Sequence, residues 1–359
     1  TLGGATQVSA GPLGFGVLVN SQYQANGNVD VNTAGGTTVS GGLAGIAINK
    51  TSIGGDVTVN TNGIVTGTSG VGIGVNAVID QSTTTNITSS GTTSGGLGGI
   101  AASTTSVFGN ATSTIDTYGL VSGGAGVAIT GPPTAQRGGK NATTTVEQQG
   151  IINNSAAGIL ASATAGNIAT TNVLVDNTID VTGFGVTALA SGKSGSVTVE
   201  TTTAGIIPSG GFGILAGATG NVFTVEVTTN SAITAGSQGI IAGLSGNDGK
   251  VTVITNDTIG AGSQGIAAGI IGNNGTLDVT TNAAITAGSQ GIVAGILGND
   301  GTVTVTNKAT INSVGSGIVA FNSGGDTTVN VQEKISSQGL FGAAAFAGGT
   351  GDAILNVNA

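Results

Sequence analysis

Apolar residues alternate with Thr, Asn and Ser in short runs along the chain, and the runs recur at a fixed interval. Val251-Thr252-Val253 has the period of two that puts both valines on one face of a strand and the threonine on the other. A second kind of run reads G-I-A-A-G from Gly265 to Gly269, and a third is a short piece around Ile259. No apolar stripe of period 3.6 persists, and Gly, Thr, Val and Asn are mediocre helix formers, so the pattern predicts strands throughout. Gly-x-x-Gly and Asn-Asp-Gly clusters between the runs predict corners that tolerate positive φ.

Three consecutive blocks, 232–257, 258–283 and 284–309, are near copies. A step of 26 carries Ile233 to Ile259, Ile285 and Ile311, and Gly239 to Gly265, Gly291 and Gly317. Gly185 and Gly213 fill the glycine slot upstream, with weaker counterparts at Gly45, Gly70, Gly99, Gly126 and Gly158. The centre of the V-x-V run recurs at Glu226, Thr252, Asp278, Thr304, Asn330 and Asn356.

A coil of this size cannot bury its own apolar side, but stacked coils form a continuous core and bond to each other through the main chain. The expected fold is therefore all-β: a parallel right-handed β-helix, or solenoid, of about thirteen ~26-residue coils, with the hand set by the preference of crossover connections. The array is expected to run unbroken over 1–359. Leu355-Asn356-Val357 is still in repeat phase, so the chain reads as a fragment of a longer array. The expected structural ladders are Ile233, Ile259, Ile285 and Ile311 inward, with Asn230, Asn256 and Asn282, and Gln238, Gln264 and Gln290, as amide ladders.

Composition narrows the chemistry. Glycine supplies 69 of 359 residues, charged residues only 6%, and His, Cys, Met and Trp are absent. Ser-His-Asp and Cys-His pairs, the usual zinc sites and disulfides are thereby removed. The sparse charge fits stacking, because a charge repeated in every coil would face its own copy one rung away. A net charge of −9 argues against nucleic acid as partner, since phosphate binding needs clustered Lys and Arg. No apolar run is long enough to span a membrane as a helix. Thr1 opens no charged-then-apolar leader, so a signal peptide is expected to have been removed or to lie outside this sequence.

The cadence VTVNTNGIVTG (Val57 to Gly67), the run GVGIGV (Gly70 to Val75) and the 232–309 stretch resemble the passenger domains of bacterial autotransporters, the Gly/Thr/Asn/Val-rich repeats of type V secretion. The resemblance implies an exported right-handed β-helix displayed on, or released from, the outer membrane and used in adhesion, autoaggregation or biofilm formation. It also implies a leader peptide and a C-terminal outer-membrane barrel outside this segment, and an extracellular or cell-surface location. The alternative reading is an extracellular filament or matrix protein built by end-to-end stacking.

No catalytic residue, metal or cofactor is expected. The candidate binding residues are Pro132, Pro133, Arg137 and Lys140. They lie in TGPPTAQRGGK (130–140), where the step from Gly126 to Gly158 is 32 and a protruding loop is expected. Its partners would be surface or host ligands, or a second copy. Three readings rank below this. Asp248, Asn274, Asp300 and Asp326 at corners suggest calcium, but the G-G-x-G-x-D repeat does not recur. Asp176 with Asp180, and Asp257 with Asp278, are the closest approach to a glycosidase pair, without an aromatic cleft. Ice binding would need Thr-x-Thr in every coil, and the mixed outward row breaks it.

Overall fold

The structure, a computed structural model, describes Leu2 and residues 6–135, 141–205 and 207–358. It is an all-β parallel β-solenoid of about twelve turns with a mean step near 27 residues. Among the described residues there is no helix, and so none long and apolar enough to cross a membrane. Residue contacts divide the chain into two compact units, 1–183 and 184–359.

In the second unit each coil carries three strands, as in Ile233–Ala235, Ile240–Ser245 and Lys250–Thr255. Each strand pairs in parallel with its counterpart one coil on: Ile233 with Ile259, Ile240 with Ile266, Val251 with Leu277. Alternation sends Val251 and Val253 inward and Thr252 outward, so every coil adds a layer to one apolar column. Ile233, Ile259, Ile285 and Ile311 align in consecutive rungs and are buried.

The first unit uses a longer step. Val31, Val59, Ile87 and Ile115 succeed each other at 28 residues, and Val146 follows Ile115 at 31. The extra residues of the 31-residue step fall partly within Val121–Ala135. Between the pairs Ala102–Ile129 and Thr105–Thr134 its register slips by two. The segment 130–135, expected to leave the coil, thus continues the strand across a bulge. Pro132 and Pro133 occupy the stretch between paired Gly131 and Thr134, where a missing ladder donor costs least. Residues 136–140, with Arg137 and Lys140, lie outside the described residues.

One register expectation is corrected. Thr304 pairs with Thr328, not Asn330, because the step there is 24. The corner lacks two residues: Ile296 pairs with Asn322, whereas the Asp326 N–H reaches back to Gly301 O. Buried Asn322 braces this shortened corner, donating its amide to Gly301 O at 2.8 Å and Asp326 O at 3.1 Å.

An inward row of hydroxyls closes one edge of the core, Thr33, Thr61, Ser89 and Thr117 in the first unit and Thr201, Thr229, Thr255 and Thr281 in the second. Rungs lie ~4.8 Å apart, and along this row most hydroxyls do not reach the next one. Thr281 is rescued by the longer Asn307, whose Oδ1 accepts from its Oγ1 at 2.9 Å. The Oγ1 atoms of Thr33, Thr61, Thr117, Thr229 and Thr255 have no such partner. Thr255→Val is therefore expected to be neutral or to stabilise by up to ~1 kcal/mol, whereas Thr281→Val strands Asn307 and costs ~1–3 kcal/mol. Urea unfolding midpoints of the two variants check this contrast.

Candidate functional site

A trough of about 370 Å³ lies on the outer face of the first unit. It forms where Phe15–Asn26, Ala44–Gly54, Val71–Ile79 and Thr92–Ser106 stack in parallel. Alternation buries Ile46 and Ile48 and turns Ala47 and Asn49 out. Ala47, Gly74 and Ala101 align over three coils as a floor of minimal side chains. Leu43, Val71 and the ring of Phe15 rise on one side, while Asn49, Asn76 and Ser103 line the other. Every lining residue is uncharged.

The asparagine rows elsewhere close on themselves. Asn256 Nδ2 donates to Asn230 Oδ1 at 2.8 Å and Asn282 Nδ2 to Asn256 Oδ1 at 2.7 Å; Asn60 does the same to Asn32 at 2.9 Å. The glutamine row differs. Oε1 of Gln238 and of Gln290 accepts from the preceding serine hydroxyl at 2.8 Å, so the rungs there are joined through main chain, Gly239 N to Gln264 O and Gly265 N to Gln290 O. That carbonyl row runs on into phenylalanine at both ends, through Phe212 and Phe341. Phe212 stacks on Phe184 at 5.2 Å, and Phe341 meets Phe346 edge-on at 5.8 Å.

The corner acids have a structural role in view. Asp248, Asn274 and Asp300 all adopt φ 55, a conformation Asn and Asp tolerate best among residues with a Cβ. Asn274 Nδ2 donates to Asp248 Oδ1 at 2.9 Å, and the N–H groups of Asn273 and Asn299 donate to the side chains of Asn247 and Asn273. Asp326 is not in this row; it opens the strand Asp326–Val331. Of the other acids considered, Asp257 accepts from the N–H of Thr258, and Asp278 pairs with Lys250 at 3.5 Å. Asp176 follows the strand Ile168–Val175 and Asp180 lies within Ile179–Ser191. Among the described residues no group of three or more acids is gathered as a metal site.

Two ionisable features escape a reading at the 26-residue step. Asp116 and Glu147 face each other on adjacent rungs, Ala111–Thr117 against Ala142–Gln148. Burial first, then the Glu147 charge, raise the Asp116 carboxyl above its ordinary 3.8. Aligning S-T-I-D-T with T-T-V-E-Q would have found the pair. The sign is unfavourable at neutral pH: between 3.8 and the raised value the folded chain keeps a proton that the unfolded chain has lost, so stability falls as pH rises through that window. Asp116→Asn is expected to raise stability at pH 7 by ~0.5–1 kcal/mol, the gap closing below pH 3.8. Thermal melts of the variant and the parent chain at pH 3 and pH 7 measure it.

The second feature is Lys50, whose side chain is wholly buried. It continues the inward series Ile46, Ile48, Lys50, Ser52 and sits between Ser21 and Ala77 on neighbouring rungs. Nζ donates to Asp56 O at 3.1 Å. Burial lowers its pKa, opposed by Asp56 and then Asp30.

Comparison of the chain with protein-family models, with curated proteins and with solved structures finds no match.

Proposed function

We infer that the chain is a non-catalytic solenoid scaffold of a bacterial cell-surface or secreted protein, of the passenger kind exported by autotransporters. It serves as a stalk whose outer faces adhere to surfaces or to like cells. The observation behind this reading is the dress of those faces: uncharged side chains repeated in register from coil to coil. Asn230, Asn256 and Asn282 form one such row, and Thr84, Thr112, Thr143 and Thr170 another. Identical weak contacts on a rigid spacing act together, so avidity exceeds the strength of any one of them. Rows without charge also let two copies approach along them without the repulsion that a charge on every rung would create. The test is to display the full-length protein on Gram-negative cells and compare clumping and surface attachment with cells carrying a deletion of this segment. Faster settling and denser attachment are expected; equal behaviour contradicts the adhesive role.

A further inference from the structure

Resting on the reading of the chain as an exposed surface scaffold, we propose that the trough of the first unit binds a neutral linear glycan, one pyranose ring to a coil. Its floor, Ala47, Gly74 and Ala101, is flat and apolar, the surface against which the C–H face of a sugar ring packs. Along one wall stand Asn49 and Asn76, and their amides hold no hydrogen bond within the protein, unlike those of Asn60, Asn256 and Asn282. Each free amide offers two donors and an acceptor, the complement of vicinal hydroxyls. Ser103 continues the row with a hydroxyl. From floor to wall is two residues along the strand, ~6.6 Å, the width of a single ring; from coil to coil is ~4.8 Å, comparable with the advance of one unit in an extended β-linked glucan. The register that repeats Ala-x-Asn and Gly-x-Asn on successive coils thus repeats the same contact for successive sugars.

Charge selects within the class. The lining is uncharged and the chain carries −9, so an acidic polysaccharide is repelled and gains no ion pair in the trough. A peptide is the poorer occupant. The trough runs across the strands over a floor of side chains, and the strands beneath it are paired on both edges, so an added chain finds no main-chain ladder to join.

The experiment uses the purified full chain and saturation-transfer NMR with three probes: β-1,4- and β-1,3-linked gluco-hexasaccharides and, as the acidic control, a galacturonate hexasaccharide. Transfer to at least one neutral probe and none to the acidic one is expected. Gly74→Leu, whose Cβ meets only the movable Val71 side chain within 3 Å, should fill the trough and abolish the signal. The pair Asn49→Ala, Asn76→Ala should weaken affinity at least ~tenfold. Thr58→Ala, on the other sheet, should leave it unchanged. If circular dichroism shows Gly74→Leu unfolded, Ala101→Leu takes its place as the filling variant. No transfer to either neutral probe, equal binding by a folded trough-filling variant, or preference for the acidic probe would each overturn the proposal. Clumping retained without glycan binding would sink the trough alone; glycan binding retained without any effect of displayed protein on clumping would sink the adhesive role alone.

Discussion

Gly272→Ala is expected to destabilise the second unit by ~3–5 kcal/mol, while Gly243→Ala, one coil earlier, leaves it unchanged or slightly more stable. Gly272 belongs to a corner column with Gly220 and Gly246, at φ +149, +146 and +154 respectively. A Cβ on Gly272 would fall on the carbonyl oxygen of Gly246, one rung away, while Gly272 N is tied to the following rung by its bond to Leu297 O. Backbone strain of ~1–3 kcal/mol and overpacking of similar size therefore add. Gly243 points outward in Ile240–Ser245, and a Cβ there would meet nothing within 4 Å. Its replacement mainly restricts the unfolded chain, a gain of ~0.4–1 kcal/mol. Urea midpoints and amide protection around Lys250–Thr255 and Thr276–Thr281 check the pair. Equal effects of the two substitutions would mean that the corner is not built as described.

Lys50→Met is expected to stabilise the first unit by ~1–3 kcal/mol at pH 7. A buried ammonium gives up its hydration, and the Asp56 carbonyl at 3.1 Å replaces only part of it. Methionine keeps the length of the stem without the charge. The pH dependence identifies the cause. Burial holds the folded pKa below the ordinary 10.5, so between those values the unfolded chain binds a proton that the folded chain has released, and stability rises with pH. The advantage of Lys50→Met should therefore shrink as pH rises toward 10.5. Melting curves of the variant and the parent from pH 7 to pH 10.5 give the difference directly. A destabilised Lys50→Met would show instead that the ammonium is held by more than this carbonyl.

The repeat carried most of the fold. Period-two alternation placed Val251 and Val253 inward, and the 26-residue step aligned Ile233 with Ile259, Ile285 and Ile311. What escaped follows from register. The step is 28 from Val31 to Ile115, 31 from Ile115 to Val146 and 24 between Thr304 and Thr328, so a fixed period of 26 assigns wrong neighbours there. Lys50 was legible in principle, since I-A-I-N-K-T-S alternates it onto the face of Ile46 and Ile48, but a lysine in a core position runs against the ordinary cost of burying charge. The trough became visible only once Ala47, Gly74 and Ala101 were known to be neighbours, because the sequence separates them by 27 residues and gives none a distinctive chemistry. The segment 130–140 drew notice for its prolines and bases, yet 130–135 remain in the strand with a bulge.

Distances along one outward row test the stacking most directly. Thr228, Ile254, Thr280, Thr306, Asn330 and Asn356 are successive partners in register. The chain has no cysteine, so nitroxide labels can be placed in chosen pairs. Pulsed electron–electron resonance between position 228 and, in turn, 306, 330 and 356 should give Cα-based distances near ~14, ~19 and ~24 Å, rising by one rung each time. Unequal steps, or broad distributions that grow with sequence separation, would contradict a parallel stack of coils.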